Sequence, residues 1–238
     1  MEKNMLANSS SKQDLYQHLV SIAFLSRHLV EGRVKSETLR KSLARKSFLA
    51  GITHDLGKTD ASFQEALQSS RKKSSVDSYS GLGTKENDAA KKFVRHHELS
   101  LWLLRSNSTA VDEDVEYAVY RHHATRHEDT TTVSEYGAPY SNPKTVENVS
   151  VLYSKLNDVV KDQGLVLEVG TRDLPDSKNF IQPWKRGDFR TKLNSHRSLV
   201  RTALIEADRM VSALPMGDLE QCFSGVEFSL SHLLSRIG

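Results

Sequence analysis

Helical periodicity of the apolar residues is the feature that most limits the folds open to this chain. In the segment 15–32, leucine and isoleucine recur every three or four residues, and Asp14 and Gly32 suit the two ends of a helix. The same spacing returns in further segments: 36–57, 88–106, 112–123, 146–162, 193–214 and 219–237. Because no alternation of strand and helix patterns is present, the sequence predicts an all-α fold, a bundle of about six to eight helices.

Two stretches between these helices are predicted to be long mobile loops. Residues 69–87 are rich in serine and glycine, and residues 128–144 are polar and contain two prolines. The N-terminal residues 1–13 are predicted to be flexible as well. The run GLVLEVG, residues 164–170, has a strand-like pattern, and residues 171–192 have no regular one. With 238 residues and no internal repeat, the chain is predicted to form a single domain, 1–238.

Composition restricts the class of protein. No apolar run approaches the roughly 18 residues of a membrane span, so no membrane partner is expected. The single cysteine, Cys222, excludes an internal disulfide and a cysteine-rich zinc site. Together with an N-terminal sequence that lacks the apolar stretch of a secretion signal, these features predict a reducing, cytoplasmic setting. The net charge of +3 is only mildly basic, but positive residues cluster at several places along the chain.

The segment GITHDLGKTD, residues 51–60, ends like a phosphate-binding P-loop but does not match one. A P-loop has four residues between its glycines and follows a strand. Here five residues separate Gly51 from Gly57, and the preceding residues have helical spacing. We therefore reject a P-loop and predict a helix end near Gly57, so that any ATP-driven motor would have to be supplied from elsewhere.

Two doublets, His54-Asp55 and His122-His123, are the strongest candidates for a functional site. Each follows an apolar helix, so both are expected near the edge of the core. Neighbouring side chains at a helix end differ by about 100° and can converge on one ion. Imidazole suits Fe, Ni, Co, Zn and Mn, and a carboxylate can bridge two ions. Two such ions can clamp a phosphoester and supply hydroxide without a side-chain nucleophile, and the lack of a persuasive serine or cysteine triad agrees with this chemistry.

Five sequence pieces occur in a fixed order: LYQHLVSIA, THDLGKTDASFQ, HHELS, YRHH and EADRMVS. This order resembles the HD superfamily of metal-dependent phosphohydrolases. More narrowly, HDLGK followed closely by FQ, together with HELS and the paired histidines, is similar to the HD nuclease of type I CRISPR interference. That nuclease occurs alone or fused to a helicase. The resemblance spans residues 18–212 and implies the helical bundle of that superfamily.

The resemblance also implies a set of metal ligands. One metal would be held by four residues: His18, His54, Asp55 and Asp208. A second would be held by three histidines, with Asp55 bridging: His97, His122 and His123. His97 is preferred to His96 because HELS places the ligand immediately before Glu98. His96 would then be a supporting or exposed residue.

Two residues near these ligands receive further roles. Lys58 lies within reach of a phosphate at the metals, so it is expected to bind phosphate or stabilise transition-state charge. Asp55 and Lys58 are therefore the catalytic residues expected. Ser212, one turn after Asp208, either supports the site or packs between helices.

The function implied by the resemblance is a metal-dependent nuclease that hydrolyses single-stranded DNA in CRISPR antiviral interference. Its partners would be a separate or fused CRISPR helicase and the RNA-guided effector complex. Two alternatives stay open: an HD phosphohydrolase acting on a dNTP or a cyclic nucleotide, and a non-catalytic metal-binding recruitment module. Histidine-rich ligation favours one or two Mn, Ni, Co or Fe ions over Mg. DNA contacts are expected from four basic residues: Arg121, Arg126, Lys185 and Arg186.

The remaining histidines and tryptophans receive structural interpretations. His28 is expected at the surface, because it points about 80° away from His18 on the same helix. Three histidines without a partner at ligand spacing are expected there as well: His127, His196 and His232. Trp102 is expected in the core. Trp184, among basic residues, is expected to pin an irregular loop rather than to stack on a base.

Overall fold

The structure, a computed structural model, describes residues 5–8, 11–69, 96–107, 111–123, 142–169, 195–225 and 227–238. Nine α-helices lie in these stretches: α1 (Leu15–Arg33), α2 (Glu37–Thr53), α3 (Ala61–Ser69), α4 (His96–Arg105), α5 (Glu113–Arg121), α6 (Pro143–Val160), α7 (Ser195–Ser212), α8 (Met216–Glu220) and α9 (Leu230–Ile237). The same stretches contain two 3-10 helices, Leu56–Thr59 and Lys161–Gln163. A small antiparallel sheet pairs β1 (Phe223–Ser224) with β2 (Glu227–Phe228). The predicted all-α fold is confirmed.

Helices α1 and α2 form the centre of the bundle. α1 packs against α2 and α7, and α2 also packs against α5 and α7. Gly51 permits the close approach of α1 and α2, because a Cβ there would lie 2.6 Å from the Cα of Ala23. Asp14 caps α1 as predicted, since its side chain accepts a hydrogen bond from the backbone N–H of Gln17.

The apolar residues that gave the helical periodicity form one core. Leu15, Leu19, Ile22 and Leu25 of α1 are buried, and Trp102 of α4 is buried as predicted. Fully burying one such large apolar side chain stabilises the fold by roughly 1.5–3 kcal/mol. The core therefore fixes the relative positions of the helices that carry the polar residues described below.

The end of α2 differs from the prediction. The helix ends at Thr53 rather than near Gly57, and the 3-10 helix Leu56–Thr59 follows it. The helix α3, which begins at Ala61, was not predicted. Asp60 stabilises its first turn, because its carboxylate accepts a hydrogen bond from the backbone N–H of Phe63 at 3.0 Å.

The single C-terminal helix predicted over 219–237 is wrong. The chain there forms the end of α8, the β1–β2 hairpin and α9. Gly225 adopts a left-handed φ of 64° in the turn, a conformation that glycine tolerates without steric cost. The rings of Phe223 and Phe228 lie 5.2 Å apart across the hairpin, and Phe228 also packs on Phe24 of α1. The segment whose apolar spacing suggested one helix therefore includes two residues, Phe223 and Phe228, that pack in a hairpin.

The strand-like run at 164–170 contains no strand in its described residues, 164–169. Its backbone is bonded by side chains instead of by a second strand. The amide of Asn157 both donates to the carbonyl of Leu167, at 2.9 Å, and accepts from its N–H, at 2.8 Å. The side chain of Asn107 accepts from the N–H of Glu168 at 2.8 Å. These bonds replace a sheet partner, and Leu165 and Leu167 are buried.

Part of the N-terminal segment predicted to be flexible is packed against the bundle. Leu6 forms a bridge with Asp14, and both Ala7 and Gln13 are fully buried. Most of the two predicted loops falls outside the described residues. Ser69, however, ends α3, and the last residues of the second loop begin α6 at Pro143. Within the described stretches, no helix combines the length and the apolar character needed to cross a membrane.

Candidate metal centre

Five helices bring histidine and aspartate side chains to one place in the bundle. These residues lie on α1 and α7, directly after α2 and α5, and at the start of α4: His18, Asp208, His54, Asp55, His122, His123 and His96. Because the contributing helices are spread over most of the chain, only the folded bundle assembles the cluster.

The Asp55 carboxylate lies at the centre of this cluster. Its Oδ2 is 3.2 Å from Nε2 of His54 and 3.6 Å from Nε2 of His18. Its Oδ1 is 3.3 Å from Nε2 of His96 and 3.4 Å from Nε2 of His122. Each carboxylate oxygen therefore faces its own group of imidazoles, which is the arrangement required of a ligand that bridges two ions.

We call these two groups the inner cluster and the outer cluster. In each, one potential ligand atom per residue lies within 4.8 Å of every other. The inner cluster consists of three buried residues: His18, His54 and Asp55. The outer cluster shares the aspartate and is more open to solvent: Asp55, His96, His122 and His123. The described residues thus contain two adjacent donor sets, each able to hold one metal ion.

Asp208 adjoins the inner cluster. Its Oδ1 is 3.5 Å from Nε2 of His18 and 3.9 Å from Nε2 of His54. The hydroxyl of Ser212, one turn further along α7, donates a hydrogen bond to the same oxygen at 3.1 Å. Ser212 therefore touches the site, in agreement with the first of the two roles that the sequence left open for it.

The ends of α2 and α5 orient two of the imidazoles in the same way. His54 Nδ1 lies 2.8 Å from the carbonyl oxygen of Gly51, and His122 Nδ1 lies 2.6 Å from that of Val119. A carbonyl oxygen only accepts, so Nδ1 carries a proton in both rings, and in the neutral ring the lone pair lies on Nε2. The last turn of each helix leaves such carbonyls unbonded, which is why a histidine immediately after the helix can use them.

Buried atoms without hydrogen-bond partners test whether a metal fits here. Five such atoms converge at the two clusters: Nε2 of His18, His54, His96 and His122, and Oδ1 of Asp55. Leaving a buried polar atom unpaired costs roughly 1–3 kcal/mol each. Imidazole and carboxylate lone pairs are the donors that divalent transition metals take. The donor set therefore fits one or two such ions, which would satisfy these atoms together.

The electrostatics of the inner cluster keep its carboxylates ionised. Burial by itself would raise the pKa of Asp55, but the neighbouring charges of His54 and Lys58 hold that pKa well below its usual range. The pKa of Asp208 is also lowered against the effect of burial, chiefly by its interactions with His18 and His54. Burial by itself would lower the pKa of His54, but Asp55, Asp208 and the Gly51 carbonyl together raise it above its ordinary value.

The outer cluster has the opposite electrostatic character. Burial lowers the pKa of His96 well below its usual range, Asp55 opposes this shift, and Lys58 adds to it. Desolvation and then the charge of His122 lower the pKa of His123 to about 3. Both rings are therefore neutral near pH 7 and offer lone pairs to a cation.

The two adjacent histidines, His96 and His97, lie at different places relative to the outer cluster. The sequence favoured His97, but the structure brings His96 into the outer cluster. A helix turns by about 100° per residue, so the side chains of His96 and His97 leave α4 in different directions. The His97 ring lies 6.3 Å from that of His122, but its ligand atoms are not part of the outer cluster. The His97 ring packs on Tyr120, with ring centroids 5.8 Å apart. A motif match cannot fix which of the two side chains faces Asp55, because this depends on how α4 packs against the site.

The 3-10 helix after Asp55 holds α4 close to the site. A Cβ on Gly57 would lie 2.8 Å from the carbonyl carbon of His96, so only glycine fits there. The backbone N–H of Gly57 donates to the Ser100 hydroxyl at 2.8 Å. Gly57 is thus a point of close helix contact and not the end of a helix. Lys58, which follows it, places its ammonium nitrogen 2.6 Å from Asp55 Oδ2.

Two buried glutamines near the site were not recognised from the sequence. Gln13 contacts the ring of His18. Gln64, the glutamine of the FQ pair, donates to the carbonyl of Lys58 at 2.7 Å and to that of Leu6 at 2.9 Å. The FQ pair was the only signal available for Gln64, and no pattern pointed to Gln13.

The other predicted residues are placed as follows. Arg121 ends α5 beside His122, and its guanidinium lies 5.3 Å from the centroid of the Tyr120 ring. His28 and His232 are exposed, as expected, and His196 is half-buried. Five residues with predicted roles lie outside the described stretches: Arg126, His127, Trp184, Lys185 and Arg186.

Comparison with known proteins gives one match. A family model described as "Cas3, HD domain" matches residues 5–213, which is most of the chain. The matched range contains every residue of both clusters. A search of curated proteins and a search of solved structures each found no match.

Proposed function

Because the chain belongs to the Cas3 HD domain family of type I CRISPR interference, we propose that it is a metal-dependent nuclease that cuts single-stranded DNA. The observation that carries this proposal is the Asp55 carboxylate between two sets of imidazoles whose buried Nε2 atoms have no hydrogen-bond partner among the described residues. Such paired donor sets are typical of sites that hydrolyse phosphodiesters.

We assign the ligands from the geometry of the two clusters. One ion would be held by the inner cluster with Asp208: His18, His54, Asp55 and Asp208. The other would be held by the outer cluster: Asp55, His96, His122 and His123. When bound, these ions would supply the Lewis acidity that activates water and neutralises charge on the phosphodiester. Histidine-rich ligation favours Mn, Ni, Co or Fe over Mg.

Lys58 has the position of a phosphate-binding residue. Its ammonium group lies against Asp55 and is mostly buried, with 12% of the side chain exposed. Gln64 bonds the Lys58 carbonyl, so the backbone that carries this charge is fixed. A fixed, largely desolvated cation beside the donor sets would stabilise the charge that develops on a phosphoryl group.

A DNA strand is favoured over a small nucleotide by the open side of the site. His123 is exposed, and Arg121, next to it at the end of α5, can meet a phosphate that approaches the outer cluster. We further propose that Arg126, Lys185 and Arg186 follow the strand, and that the helicase and the RNA-guided effector complex deliver it. The recruitment module is disfavoured because both donor sets are complete.

The direct test is cleavage by metal-stripped protein resupplied with Mn²⁺, Ni²⁺, Co²⁺, Fe²⁺ or Mg²⁺. Labelled single-stranded DNA and a panel of dNTPs and cyclic nucleotides are offered in parallel. Asp55→Ala is expected to lower DNA cleavage by more than about 1,000-fold. Loss of a single electrostatic stabiliser costs roughly 100- to 1,000-fold, and Asp55 belongs to both donor sets. His28→Ala, at an exposed position on the same bundle, is the matched control and retains activity.

Each result of this test has a distinct meaning. Restored DNA cutting that Asp55→Ala abolishes supports the nuclease. Turnover of a nucleotide with DNA left intact would keep the metal site and replace the substrate. Metal binding without any turnover would favour the recruitment module.

A further inference from the structure

We propose that Gln13 is a positioning residue that fixes the tautomer of His18, so that His18 presents the lone pair of Nε2 to the inner cluster. The role of this tautomer in metal binding rests on the proposed function. The tautomer itself is a property of the protein without any metal or substrate, so it can be tested separately.

The orientation of the Gln13 amide is determined by two backbone carbonyls. Its Nε2 donates to the carbonyl oxygens of Val211, at 2.7 Å, and Leu214, at 2.8 Å. Both partners only accept, so the NH₂ end must face them. A flipped amide would place Oε1 against two carbonyl oxygens and lose both bonds. Oε1 is therefore the atom that faces the ring of His18.

This orientation determines the proton position on His18. Nδ1 of His18 lies 2.9 Å from Oε1 of Gln13, which can only accept, so Nδ1 must carry a proton. Gln13 and His18 are both buried, at 0% and 1% exposed, so exchange of this bond for water is suppressed. The neutral ring then has its lone pair on Nε2, which points toward Asp55 and Asp208.

Without Gln13, the surroundings would favour the other tautomer. Nε2 of His18 lies 3.6 Å from Asp55 and 3.5 Å from Asp208, and two carboxylates attract a proton to that nitrogen. A protonated Nε2 cannot bind a metal. Gln13 thus opposes a local electrostatic preference that would block the ligand. This is the role that outer hydrogen-bond partners of metal-bound histidines play.

The same side chain also fixes two ligands relative to each other. Val211 and Leu214, its carbonyl partners, lie at and just beyond the end of α7, directly after Asp208. Gln13 therefore connects the segment before α1 to the end of α7, across most of the chain. His18 and Asp208 are positioned by one buried amide.

The first measurement is nitrogen NMR of the His18 ring in metal-free, otherwise unmodified protein. It is made under conditions in which the same spectra show a neutral ring, and the signal is assigned by its loss in His18→Ala. We expect a proton on Nδ1 and none on Nε2. A proton on Nε2 in this protein overturns the proposal, whether or not any Gln13 variant folds.

Gln13→Met tests the cause. This variant keeps the approximate side-chain volume and removes the acceptor and both donors. We expect the neutral His18 ring to move to the Nε2-protonated form and Mn²⁺ affinity, measured by calorimetry, to fall about 10- to 100-fold, as for other outer partners of metal ligands. An unchanged tautomer in folded Gln13→Met would overturn the proposal.

Gln64→Met is the matched control. Gln64 also is buried and binds the N-terminal segment through Leu6, but it does not contact His18. We expect a similar fall in melting temperature and no change of the His18 tautomer. A tautomer change in this control would show that general loosening of the segment, and not Gln13, is responsible. If the unmodified protein did not cut DNA, the proposed nuclease function would be refuted, but the NMR result on His18 would stand.

Discussion

The inner and outer clusters share Asp55 but differ in how firmly their histidines are held. In the inner cluster, both rings are buried and each Nδ1 is bonded, to Gln13 for His18 and to Gly51 for His54. In the outer cluster, within the described chain, only His122 has such a bond, to Val119. His123 is exposed and His96 partly so. One donor set is therefore rigid before any ion arrives, and the other can adjust.

The two clusters also differ in charge. Asp55 and Asp208 both lie against the inner histidines, and the low pKa of each keeps it ionised. Among the described residues, the outer cluster has only its share of Asp55, beside imidazoles whose pKa values are depressed. A rigid site with two negative charges binds a divalent ion more tightly than an adjustable site with one, because less ordering is required and attraction is stronger. The inner cluster should fill first, and the open outer cluster is where a strand can approach.

The largest expected effect tests this order of filling. His54→Ala removes a direct ligand of the inner cluster. It should weaken the tighter of two Mn²⁺ binding events by more than about 100-fold, which is the largest loss typical of removing only a hydrogen-bond partner of a ligand. His123→Ala should leave that event unchanged and weaken only the second. Calorimetric titration of both variants measures the two affinities. If His123→Ala abolished the tighter event, the assignment of inner and outer sites would be reversed.

The next largest effect separates two neighbouring histidines of the outer cluster. His96→Ala should lower cleavage of single-stranded DNA by at least about 100-fold, because it removes a proposed ligand. Removing only a hydrogen-bond partner of a ligand typically lowers activity by about 10- to 100-fold. His97→Ala should cut DNA nearly normally and instead lower the free energy of unfolding by about 0.5–3 kcal/mol, because its ring packs on Tyr120. Kinetics and chemical denaturation of the two variants provide the comparison. Near-normal DNA cleavage by both variants would exclude His96 as a metal ligand.

Sequence reasoning reached the helices and most of the clustered residues because both leave local patterns. The apolar spacing in α1 predicted its buried face, and the doublets after α2 and α5 pointed to side chains that the structure brings together. The choice between His96 and His97 depends on how α4 is rotated about its own axis, and a shift of one residue changes that rotation by about 100°. The hairpin at Gly225 was missed because the apolar residues around it, at 219, 223, 226, 230, 233 and 237, recur every three or four residues as in a helix.

Long-range contacts were not accessible in the same way. Gln13 bonds to Val211 and Leu214, nearly the whole chain away, and no local pattern marks a polar residue that becomes fully buried. Gln64 was visible only as part of a short motif, without the contacts that explain it. The residues that orient ligands are thus harder to predict than the ligands themselves, because their partners are set by packing between helices.

The smallest expected effect concerns the inner cluster. Ser212→Ala removes the hydroxyl that donates to Asp208 Oδ1, so the partly exposed carboxylate loses one restraint on its rotation. We expect the tighter Mn²⁺ event to weaken about fivefold, the equivalent of about 1 kcal/mol for one hydrogen bond. Ser150→Ala is the control, because that hydroxyl bonds only to Val146 within its own exposed helix turn.

The size of the Ser212→Ala effect decides how the inner cluster obtains its rigidity. A change near fivefold means that Gln13 and the Gly51 carbonyl do most of the orienting, with the serine in a supporting role. No change relative to Ser150→Ala would show that Ser212 only packs between helices, and that Asp208 is oriented by its histidine neighbours. A loss of 100-fold would instead make the inner cluster as dependent on one exposed contact as the outer cluster is, and the contrast between the two would not stand.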